Sequence, residues 1–133
     1  MVGFCDILKA SPDMLHLEPA TEESVKLAEV KLDVSFSPEY RRYLLVLGTA
    51  TAGTHEFTGI CMSPRLNVVD VTLKERQKYN HECDLMYVVE QLHIDDMVIW
   101  QSQDGKVYQS MPGSHVVEIA PSLADYLESE ISL

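Results

Sequence analysis

The chain has 133 residues, with ten Lys and Arg against 21 Asp and Glu for a formal net charge of −11, and is 46% apolar and 23% charged. A chain of this size buries about two-thirds of its surface without disulfides or metal, and the composition excludes a disordered tail and a fibrous repeat. The acidic balance argues against a direct grip on nucleic acid, whose phosphates are bound by cationic side chains that displace counterions, and against docking on an anionic membrane.

The amino terminus, Met1-Val2-Gly3-Phe4-Cys5-Asp6, reaches an acid without the basic and apolar regions of a secretory leader. Cys5, Cys61 and Cys83 are odd in number and form no C-x-x-C pair, so a reducing cytoplasm is expected. No apolar run approaches the roughly 20 residues that span a bilayer. Residues 1–20, broken by Pro12 and Pro19, read as an irregular lead-in to a single domain over 1–133. From Thr21 a helix is predicted, with Glu22 and Glu23 in its first turn, where the macrodipole favours anions, and Val25, Ala28 and Leu32 at helical spacing.

The next helix has Ser37 as its cap, Pro38 at the first position and Gly48 as its stop, around a stripe of Tyr40, Tyr43, Leu44 and Leu47. The short link between the two helices predicts a helical hairpin over the core. Glu56 to Cys61 reads as a strand, and Cys61 as core packing within it. Thr72-Leu73-Lys74-Glu75 matches a capping box and predicts a short helix through about Tyr79. Leu85 to Val89, Met97 to Gln101 and His115 to Ile119 read as strands. Asp104-Gly105 predicts a two-residue type I′ turn, which sets Trp100 opposite Gln109 and Gln101 opposite Tyr108. Pro121-Ser122 opens a closing helix with Leu123, Tyr126, Leu127 and Ile131 on its apolar face. The expected class is therefore α+β: a mostly antiparallel twisted sheet, an N-terminal helical hairpin and a C-terminal helix.

Motifs for chemistry are sparse. His81, Cys83 and His93 offer imidazole and thiolate but leave a tetrahedral metal site half built. Cys83 stands between Glu82 and Asp84, whose charges oppose thiolate formation, and Cys5 lies near a terminus expected to be loose. A small hydrolase acting through Cys83 or His81 is the enzymatic alternative. The loop Gly48 to Gly53 lacks the Lys-Ser/Thr of a phosphate cradle, and no G-x-S-x-G elbow occurs. Trp100 with Tyr108 reads as sheet packing rather than a stacking platform. No catalytic residue, cofactor or metal ligand is assigned.

Charge is uneven along the chain. Residues 79–133 hold ten acids against Lys106 alone, which is −9 of the −11. An acidic face of this kind supplies solubility to any protein, or steers a basic partner.

The helix Ser37 to Leu45 ending at Gly48, the Phe57-Thr58-Gly59-Ile60 strand, Asp104 to Tyr108 and the closing Leu123-Ala124-Asp125-Tyr126-Leu127 helix resemble, in that order, the SUKH superfamily, the Smi/Knr-type domain. The resemblance runs from about Thr21 to the end. Pro38-Glu39-Tyr40-Arg41-Arg42-Tyr43-Leu44 fits the family pattern, whereas Leu47-Gly48 replaces its Asn-Gly. What the resemblance implies is a non-enzymatic protein-binding domain. Bacterial members mostly act as immunity proteins against polymorphic or contact-dependent toxins, many of them nucleases, and eukaryotic relatives act as regulatory interaction modules. The partner expected is a cognate toxin domain, with a regulatory scaffold as the alternative. Asp95, Asp96 and Asp104, which flank the hairpin and lack nearby bases in sequence, are the candidate partner-binding residues.

Overall fold

A computed structural model describes residues 3–131, except the side chain of Ile131, so the expected burial of that residue lies outside the described set. The first element corrects the sequence reading. Within the segment expected to be irregular, α1 (Phe4–Ala10) is a helix whose Gly3 N–H donates to Asp6 at 3.0 Å. Too short to persist alone, it is held by burying Phe4, Cys5 and Leu8 against two later helices. The Phe4 ring lies 5.2 Å from that of Tyr43 and 5.1 Å from that of Phe57. Cys5 is thus core, not part of a loose end.

Strand β1 (Leu15–His16) pairs antiparallel with β2 (Ala50–Ala52), and β2 with β3 (His55–Glu56). The helical hairpin is present between them. In α2 (Glu22–Leu32) the Thr21 hydroxyl accepts from Ser24 N–H. In α3 (Pro38–Leu47) the Ser37 hydroxyl accepts from Tyr40 N–H at 3.0 Å. The side chain of Arg41 bonds to Glu22 and Glu29 and so ties the two helices together.

The strand expected over 56–61 ends at Glu56, and Cys61 lies half-buried outside any strand. Beyond it the chain crosses a helix end at minimal distance. A Cβ on Gly59 would lie 1.9 Å from the Gly48 carbonyl oxygen, and one on Gly48, at φ +74°, would lie 1.9 Å from that of Glu18. Such a crossing leaves only single bridges, Phe57 to Glu90 and Gly59 to Asn67, in place of a ladder.

Helix α4 (Val68–Arg76) begins before Thr72 because the Asn67 side chain accepts from Val69 and Asp70 N–H. Thr72 is therefore no cap. It is fully buried, and its hydroxyl accepts the Val88 N–H at 2.9 Å.

Strands β4 (Met86–Gln91), β5 (Val98–Ser102), β6 (Val107–Ser110) and β7 (Val117–Ala120) form an antiparallel sheet in chain order. Its hairpin register differs by one residue from expectation: Trp100 faces Tyr108 and Gln101 faces Val107. The Ser102 N–H donates to Lys106 O at 3.0 Å, so the loop has three residues and only Gly105 takes positive φ, +95°. This is the three-residue hairpin with glycine at its left-handed position, which one Gly suffices to form. Trp100 is fully buried, edge-on to Tyr79, with its indole N–H donating to Ser110 at 2.7 Å.

Helix α5 (Leu123–Ile131) closes the fold with Leu123, Tyr126 and Leu127 buried. The α+β class and the antiparallel pairing are as expected, with the strands divided between two sheets. The Thr58 N–H, donating to Val89 O at 2.9 Å, helps join them. One core, built on Phe4, Tyr40, Tyr43 and Leu44, lies under the helices, and a second, around Trp100 and Val88, lies under α4. Among the described residues no helix is long and apolar enough to cross a membrane.

Candidate partner-binding site

Glu90 interrupts an apolar strand. It is 2% exposed and sits at a shift of register between β4 and β5. A buried carboxylate demands partners, and two come from distant parts of the chain. Oε1 accepts from the Tyr126 hydroxyl of α5 at 2.6 Å, and Oε2 lies 2.7 Å from Nδ1 of His55 in β3. The imidazole stacks on Phe57 at 5.7 Å. Its bond to Glu90 raises its pKa against the opposing effect of burial, and Glu130 adds to the rise. Burial, and then the Glu90 charge, push the Tyr126 phenol well up.

His55 and Glu90 line a cleft of about 360 Å³, whose lining also includes Glu56, His93, Ile94 and Glu130. Glu56 accepts two bonds of 3.0 Å from Arg65, which hold its carboxyl below the usual range. His93 Nε2 lies 3.9 Å from Glu56.

The chain leaves the cleft through a tight turn closed by Leu92 N–H to Met97 O at 3.0 Å and Met97 N–H to Ile94 O at 2.9 Å. Asp95 and Asp96 are exposed there, both left-handed at φ +53° and +56°, a conformation Asp tolerates better than most residues. Ile94, 64% exposed, sets an apolar side chain beside these acids. Glu22, Glu29, Glu56, Glu75 and Asp104 are ion-paired with Lys or Arg, whereas no such pair is formed by Asp95, Asp96 or Glu130 among the described residues.

Asp104 stands apart. It follows β5 whereas Asp95 and Asp96 precede it, so the length of a five-residue strand, about 16 Å at about 3.3 Å per residue, separates them. The reading that all three lack a nearby base is corrected for Asp104 and also for Asp96, whose charge adds to the Glu75 bond in raising the pKa of Lys78. Asp104 accepts from the Ser102 hydroxyl and from Lys106 N–H, and Lys106 Nζ lies 4.0 Å away. The Ser102 bond is the main cause of its lowered pKa. The structure thus places Asp95 and Asp96 in the turn that follows Ile94 of the cleft lining, with Asp96 near Lys78, and leaves Asp104 at the other end of β5.

His55, Glu90 and Glu130 were missed in the sequence because their association is tertiary. The one local signal was a carboxylate directly after the buried run Val88-Val89.

As for reactive groups, Cys83 is buried and its thiol pushed up to about 12, chiefly by burial and then by Glu82. His81 bonds Asp84 at 2.8 Å. Among the described residues no three side chains are grouped to hold a metal ion, and the hydrogen bonding of His55 goes to Glu90 alone. Nδ1 of His55 is engaged by the Glu90 carboxylate, and among the described residues no thiol or hydroxyl is hydrogen-bonded to its ring.

The sequence profile of the SMI1-KNR4 cell-wall family matches residues 6–132, nearly the whole chain, and the chain belongs to that family. No curated protein gives a significant match.

Proposed function

We propose that this member of the SMI1-KNR4 family works as a single domain in the cytoplasm, binding a cognate polymorphic or contact-dependent toxin domain and blocking it without catalysis. The observation that carries this reading is the cleft lined by Glu56, Glu90 and Glu130, with exposed Asp95 and Asp96 in the turn that follows its Ile94, in a chain of net charge −11. A nuclease toxin needs a cationic substrate groove. An acidic edge with one exposed apolar side chain, Ile94, can cover such a groove in place of phosphate, and complementary potential speeds the encounter. Asp104, at the other end of β5 and beside its own lysine, contributes less to that edge.

The test is co-expression with the C-terminal domain of a large secreted protein encoded beside this chain. Growth rescue and co-purification are expected. Replacing Asp95, Asp96 and Glu130 by lysine should slow association about tenfold and flatten its salt dependence. Turnover of a substrate by the purified chain, or association indifferent to these three replacements, overturns the reading.

A further inference from the structure

We propose that His55, Glu90 and Tyr126 form a proton-linked latch that locks the β1–β3 sheet and α5 onto β4 while His55 is protonated and loosens them when it is neutral. The geometry carries the argument. Among the described residues, Glu90 bonds both β3 and α5, at 2.7 and 2.6 Å, and it is nearly inaccessible to water. It also sits where the two sheets meet, in the bridge from Phe57.

The charges facing His55 settle the sign. Glu90 in β4 and Glu130 in α5 are acidic; Glu56, its own neighbour, is held by Arg65; His93 approaches Glu56 from the β4–β5 turn. Protonated His55 is therefore the cation that compensates Glu90. Neutral His55 can still donate its Nδ1–H, but the buried carboxylate is then left with two neutral donors beside Glu130, and a buried charge without a counter-charge is costly. A histidine whose pKa is raised on folding adds stability that is fully present below its unfolded pKa, about 6.5, and is lost as pH rises through the folded value.

The inference needs no assumption about any partner. The test uses the full chain. Imidazole NMR titration should place His55 above the ordinary histidine value of about 6.5. The urea midpoint should fall as pH rises from about 6.5 toward 9, and exchange of the Phe57 and Thr58 amides, which bond Ala50 and Val89, should accelerate beyond the intrinsic effect of pH. His55→Gln should abolish the slope, and His93→Gln should keep it. Glu90→Gln should return His55 to its ordinary range; if that variant does not fold, His55→Gln alone decides. A His55 that titrates at or below the ordinary value, or a His55→Gln chain with the wild-type slope, overturns the latch.

Discussion

Glu39 offers a direct measure of how far tertiary contacts, rather than local sequence, hold α5. Its Oε1 accepts Leu123 N–H at 2.7 Å and Gln101 Nε2 at 3.0 Å, and its Oε2 accepts Ala124 N–H at 3.0 Å. A carboxylate from α3 thus caps a helix that begins 84 residues later in the chain. Glu39→Ala removes all three bonds. Loss of a helix cap costs about 1 kcal/mol, and loss of an anion at the positive helix end about 0.5 kcal/mol more. The second amide and the Gln101 bond add about 1 kcal/mol between them, since Gln101 keeps Gly105 O at 2.9 Å and Glu39 is only half-buried, so water replaces part of what is lost. The total is about 2.5 kcal/mol. For 133 residues the unfolding entropy is about 0.28 kcal/mol/K, which converts that loss to a Tm about 9 °C lower. Glu39→Gln keeps one acceptor oxygen and loses the charge, so about half the effect is expected. Urea melts and calorimetry give both values, and hydrogen exchange at Leu123 and Ala124 locates the loss. A change under about 0.5 kcal/mol for Glu39→Ala, with those amides still protected, would refute the tertiary cap.

Gly59→Ala should cost more than about 4 kcal/mol or abolish soluble expression, because its Cβ would overlap the Gly48 carbonyl oxygen. Gly53→Ala, left-handed but with no atom within 4 Å of the new Cβ, should cost about 1 kcal/mol; equal melting temperatures for the two would contradict the crossing. With a thiol reagent at pH 8, half-buried Cys61 should label rapidly while Cys5 and Cys83, both buried and raised by burial, label only on the timescale of unfolding. Two or three fast thiols in the native protein would count against that core. Against a cognate partner, Asp95→Lys with Asp96→Lys should slow association about fivefold, whereas Asp104→Lys should change it less than about twofold. The reverse order would move the interface to the Gly105 end of the sheet.

Signals that act within one turn of chain were legible in the sequence, and those that depend on distant groups were not. Ser37 caps the helix assigned to it because a cap bonds an amide three residues away, the helix read from Thr21 starts there, and Tyr40, Tyr43, Leu44 and Leu47 are buried as their spacing requires. Thr72 failed because two local solutions competed. Asn67 satisfied the helix start earlier, which freed the Thr72 hydroxyl for the Val88 amide. The Asp104-Gly105 register failed for a related reason: the same dipeptide serves a two- or a three-residue loop, and Gln101 decides between them. Fully buried, it bonds Gly105 O, Glu39 and the Tyr87 hydroxyl at once, a set of partners that no window of sequence contains. Buried polar groups such as Gln101, Glu90 and Thr58 therefore specify how the elements meet, because each is satisfied in one arrangement and stranded in the others. Apolar patterning alone would let α5 and β3 settle in several neighbouring positions. A mispositioned α5 would leave the Glu90 carboxylate without the Tyr126 hydroxyl, and the acidic cleft owes its shape to that constraint.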